Sequence, residues 1–99
     1  MYVVREIMHC KPGKVGEMVK RFKQMEPLMK EVGLKEPQRV MTDMSGERFW
    51  TVIAEQAVDS LEQYLDLSRR TMTDPRVQKI MQGYHDLVES GRREIYKVE

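Results

Sequence analysis

Tyr2-Val3-Val4-Arg5-Glu6-Ile7-Met8-His9, leading through Cys10 into Lys11-Pro12-Gly13-Lys14, is the stretch whose reading decides the fold. The first eight residues read as a strand. Pro12 then suits the first turn of a helix, and Val15, Met18, Val19, Phe22, Met25, Met29 and Val32 recur at helical spacing, with lysines on the other face. Gly33 closes that helix. Pro27 falls inside it, where a missing N–H and a crowded preceding turn predict a kink or a break.

Further along, Gln38 to Met44 and Arg48 to Glu55 are strand-like and flank Ser45-Gly46, a hairpin turn by composition. Asp59 and Glu62 have capping-box spacing ahead of a second helix with Leu61, Tyr64, Leu65 and Met72 as its inner stripe. Asp74-Pro75 restarts the chain as N-cap and first helical residue, and Val77, Ile80, Met81, Tyr84, Leu87 and Val88 continue helically to Gly91. Arg93 to Val98 reads as the last strand. The order βαββααβ predicts one α+β domain over residues 1–99, ferredoxin-like, with helices on one face of a four-stranded antiparallel sheet.

At 99 residues the core is modest, burial is incomplete and an oligomeric partner helps. Seventeen Lys and Arg against sixteen Asp and Glu leave no net field to draw nucleic acid or an anionic membrane. RNA-recognition domains share the βαββαβ outline, but they stack bases on alternating aromatics of the third strand. Here Phe49 and Trp50 are adjacent. One cysteine, Cys10, excludes an internal disulfide framework and fits a reducing compartment. With no signal peptide and no apolar run of spanning length, the expectation is a cytoplasmic protein without nucleic-acid or membrane partners. His9 and Cys10 point to opposite faces of their strand and no third ligand is suitably spaced, so no metal site is expected, and no cofactor.

In the third strand, Phe49, Thr51 and Ile53 alternate with Trp50, Val52 and Ala54, which predicts two largely apolar faces. Helices cover only one. The economical cover for the other is a second copy packed sheet against sheet across a two-fold axis, with Trp50 at the dimer interface.

Tyr2-Val3-Val4, Lys11-Pro12-Gly13-Lys14, the Gly46 to Glu55 strand, Asp59-Ser60-Leu61-Glu62-Gln63-Tyr64-Leu65 and Ile95-Tyr96-Lys97-Val98 together resemble the dimeric α+β barrel superfamily. The likeness is nearest to antibiotic-biosynthesis-monooxygenase-type domains, with NIPSNAP-like and stress-responsive barrels also similar. It implies a homodimer whose sheets form a common barrel, with a small-molecule pocket in each subunit between sheet and helices. It does not imply one activity, since such folds host catalysts and non-catalysts alike. The haem-degrading branch carries an Asn, a Trp and a haem-ligating His at positions that fall here on Arg5, Tyr64 and near Met81, and this chain has no Asn. The monooxygenase-type pattern places a Trp and a His where Glu55 and Tyr64 stand.

The pocket expected from this resemblance comprises Arg5, His9, Glu55, Tyr64 and Met81. Arg5 is an arginine in mid-strand on the parity that the resemblance assigns to the pocket, and it needs either Glu55 or an anionic ligand as partner. Pairing with Glu55 is the favoured reading. His9 reads more readily as an edge residue than as a catalyst. Tyr64 sits on the inner helix face with a hydroxyl that either meets a ligand or completes the core. His85 is the candidate catalytic base, against the plainer reading of a boundary histidine paired with Glu89. Nine methionines make an interior adaptable to hydrophobic ligands. The function expected is therefore homodimeric binding of a small hydrophobic molecule. The alternative is a cofactor-independent monooxygenase acting on a phenolic or polyketide-like substrate, with His85 as base, Tyr64 orienting and Arg5 holding an anionic group.

Overall fold

The alternation of Val4, Glu6 and Met8 with Val3, Arg5, Ile7 and His9 sets the two sides of the sheet, because β1 (Tyr2–Cys10) lies at its centre. The computed structural model describes residues 1–99. β1 pairs antiparallel with β3 (Thr51–Val58) and with β4 (Val88–Lys97), and β2 (Arg39–Thr42) completes the order β2-β3-β1-β4. α1 (Val15–Glu31), α2 (Leu61–Met72) and α3 (Pro75–Met81) pack on one face, and a 3₁₀ turn at Tyr84–Asp86 leads into β4. The expected βαββααβ order and antiparallel sheet are both present.

Val4, Val52, Ala54 and Val58 share the helix-facing parity and meet Met18, Phe22, Met25 and Met29 of α1 in the core. Each fully buried side chain of this size contributes about 1.5–3 kcal/mol. That stripe carries α1 unbroken through Pro27, where a break is the local expectation. Pro27 and Lys23, whose carbonyl loses its donor, both face solvent, so water can replace the missing bond.

The hairpin departs from the composition-based reading. β2 and β3 are shorter at the turn, and residues 43–50 form a loop in place of a two-residue Ser45-Gly46 turn. The ladder gives way to side-chain bonds there: Asp43 N still donates to the Thr51 carbonyl at 3.3 Å, but Thr51 N donates to Asp43 Oδ1 at 2.8 Å, and Thr51 Oγ1 donates to the Arg48 carbonyl at 2.9 Å. Trp50 takes a φ of 62°. Trp50, expected at the dimer interface from its side of the strand, therefore has no place on the strand and lies in the loop beside Pro12 and Glu89. The helix-free face of β3 is Thr51, Ile53, Glu55 and Ala57, half polar where two apolar faces are expected.

Candidate functional site

A cavity of about 280 Å³ lies between sheet and helices. β1 and β3 supply its floor at Glu6, Met8, Ala54 and Gln56, and the small Ala54 leaves space that a longer side chain would fill. α1 and α2 wall it, with Phe22 on one side and Tyr64 and Leu67 on the other. Five methionines, Met8, Met25, Met29, Met72 and Met81, complete an apolar lining whose unbranched thioethers repack around differently shaped occupants.

Two charged side chains reach this space, and they are paired with each other. Glu6 and Arg93 are cross-strand partners on β1 and β4, and Arg93 Nε donates to Glu6 Oε1. The guanidinium carbon lies 5.5 Å from the centre of the Tyr64 ring, within cation–π range. Burial pushes the Tyr64 phenol up, so the hydroxyl stays protonated at neutral pH. Gln56 and Thr71 also line the cavity, and Gln56 Oε1 and Thr71 Oγ1 are buried without a hydrogen-bond partner.

The residues proposed from the sequence separate into three places. Tyr64 and Met81 line the cavity. Arg5, His9 and Glu55 are on the opposite, helix-free face, because the β1 residues of cavity parity are Val4, Glu6 and Met8. His85 borders a separate polar groove beside the 3₁₀ turn, with its ring centre 4.1 Å from that of Tyr84. The pairing expected with Glu89 is absent, since Glu89 binds Arg48 at 3.3 Å. Arg5, Tyr64 and His85 thus do not converge. Glu6 and Arg93 were the charged residues to find, and the signal was available: Glu6 lies between Val4 and Met8 in the alternation that continues into the core.

On the helix-free face Glu55 joins two guanidiniums, accepting from Arg5 Nε at 2.8 Å and from Arg39 Nε at 3.0 Å. Its side chain is 7% exposed against 72% for Arg39, so the pair anchors a buried carboxylate. Arg92 Nη1 can only donate, so His9 Nε2 accepts from it at 3.2 Å; Nδ1 then carries the proton toward Thr51 Oγ1 at 3.3 Å. Arg39 and Arg5 hold the Glu55 carboxyl below its ordinary value of 4.5, and burial, with Arg48 and Arg92 nearby, holds His9 below 6.5.

Both groups bind fewer protons folded than unfolded. The stability each contributes is present above its unfolded value and lost as pH falls through the folded one. Acidification is therefore expected to lower stability in two stages, the first starting near pH 6.5 and the second near pH 4.5. Urea midpoints across the pH range check this, and His9→Gln should remove the first stage alone. A midpoint unchanged between neutral pH and about pH 5 would contradict the His9 assignment.

No three His, Cys, Asp or Glu side chains are grouped so as to hold a metal ion, and no helix is long and apolar enough to cross a membrane. No protein-family model matches the chain, and no curated protein matches its sequence. Solved structures do match in fold. A NIPSNAP-family protein of unknown function from Agrobacterium tumefaciens superposes with a TM-score of 0.82 at 20% identity, covering 99% of this chain and 87% of the other. A NIPSNAP-domain protein from Burkholderia xenovorans gives 0.80 at 18% identity, covering 100% and 95%. A candidate antibiotic biosynthesis monooxygenase from Nitrosomonas europaea gives 0.73 at 11% identity, covering 99% and 98%. The chain has the fold that these proteins share.

Proposed function

We propose that this protein is a homodimer that holds a small hydrophobic molecule between its sheet and its helices. The observation that carries this reading is the cavity, in which ten of sixteen lining residues are hydrophobic. A concave, largely apolar space with a few placed polar groups is the usual form of a small-molecule site. Dimerisation through the helix-free face is supported by Ile53 and Met41, half-buried apolar side chains that register side by side there next to Ile7. The buried lone Cys10 fits a cytoplasmic location.

The oxygenase alternative needs a base next to the substrate. Its candidate, His85, lies outside the cavity, and the one carboxylate inside, Glu6, is engaged by Arg93. The binding reading is therefore ahead. Calorimetric titration of the purified protein with nonan-1-ol, naphthalene and a phenol panel, with oxygen consumption followed in parallel, tests both. Saturable binding of one molecule per chain without oxygen uptake is the expected result. Absence of any binding would overturn the proposal, and oxygen consumption above the uncatalysed rate would favour the alternative.

A further inference from the structure

Resting on that reading, we infer that the occupant is a medium-length aliphatic chain ending in a carboxylate, with the carboxylate held by Arg93 at the rim of the cavity. Four residues, Glu6, Met8, Tyr84 and Arg93, border both the apolar cavity and the polar groove that carries His85, Glu89 and Ser90. They therefore mark the boundary between the two. A molecule filling the cavity and reaching that boundary has an apolar body inside and a polar end at Arg93.

The charge of that end follows from which rim group has capacity left. Arg93 spends only Nε, on Glu6, and its Nη1 and Nη2 donors have no partner within the chain. Its side chain is half exposed, whereas that of Glu6 is about three-quarters covered. The guanidinium carbon lies 5.5 Å from the Tyr64 ring centre, a contact that uses none of its N–H donors. Two adjacent N–H groups on a planar fork match the two oxygens of a carboxylate. An ammonium end would meet Arg93 as a like charge before it reached the covered Glu6.

The nature of the body follows from the lining. The lining is predominantly apolar, and although Gln56 and Thr71 belong to it with unpartnered oxygens, most of an occupant's surface there meets carbon and sulfur. The adaptable methionines suit a flexible chain. About 280 Å³ is the space of roughly nine groups of water or methylene size.

The test is calorimetric titration of the full chain with nonanoate, nonan-1-ol and nonylamine below their aggregation limits. Nonanoate is expected to bind about tenfold or more tightly than the alcohol, the scale of a charge-assisted hydrogen bond, and the amine more weakly than either. Arg93→Gln should erase the preference for nonanoate over nonan-1-ol, the ratio of the two affinities falling by about tenfold, with a cooperative urea transition on the same sample showing that the variant is folded. Arg93→Lys, keeping charge without the fork, should fall between and serves if the glutamine variant does not fold. Equal affinity for acid and alcohol, preference for the amine, or a preference that survives Arg93→Gln would overturn this inference while leaving the binding reading intact. Failure of all three probes to bind would overturn both.

Discussion

Ala54→Phe is expected to abolish ligand binding and leave the fold standing. Ala54 is a helix-facing residue of β3 in the cavity floor, so a benzyl group built there enters the space an occupant would use. Adding bulk to a filled core typically costs about 1–3 kcal/mol. Here about 280 Å³ of space receives the ring, so unfolding free energy should change by no more than about 1 kcal/mol. Affinity for nonan-1-ol should fall by about 100-fold or more, since the ring and the ligand cannot share the volume. Urea unfolding and calorimetry on the same sample check the two halves. Undiminished affinity in a folded Ala54→Phe protein would put the binding site elsewhere.

The second large effect is expected at the helix-free face. Ile53 registers between Ile7 on β1 and Met41 on β2, the apolar strip that remains where Arg5, Glu55 and Arg39 bind one another. In a two-fold dimer joined through this face, Ile53→Glu places two carboxylates in one interface. An uncompensated buried charge costs about 3–5 kcal/mol, enough to weaken association by a factor of roughly 1,000. In the separated chain the same carboxylate faces water. Sedimentation equilibrium at low micromolar concentration should therefore show a dimer for the natural sequence and a folded monomer for Ile53→Glu. A natural sequence already monomeric would remove the dimer from the account.

Element order was legible because its signals are local. Asp74-Pro75 starts α3 as read, with Asp74 Oδ1 accepting from Arg76 N at 2.8 Å. The cap of α2 is displaced by one residue from the Asp59 and Glu62 spacing: Ser60 Oγ accepts from Gln63 N, and Asp59 N donates to Gln63 Oε1. The start of β3 was not legible, because the bond from Thr51 N to Asp43 Oδ1 that replaces a ladder bond joins residues on the two sides of a loop. That error carried Trp50 onto the strand. The site suffered from a different cause. Its aromatic and methionine members, Tyr64 and Met81, follow from helical periodicity, but the charged members depend on which side of β1 the helices cover. A one-residue shift of parity exchanges Arg5 for Glu6 and moves the expected anchor to the wrong face. Arg93 then follows only from cross-strand register with Glu6, a pairing that no local pattern encodes.

The methionines offer the most direct measurement of the central claim. Met8, Met25, Met29, Met72 and Met81 line the cavity, whereas Met41 and Met44 border the helix-free face and its loop. Labelling the methionine methyl groups with carbon-13 and titrating with nonan-1-ol reads both surfaces in one spectrum. The account predicts progressive, saturable shifts for the five cavity methyls, with Met41 and Met44 unmoved. Shifts confined to Met41 and Met44 would contradict it.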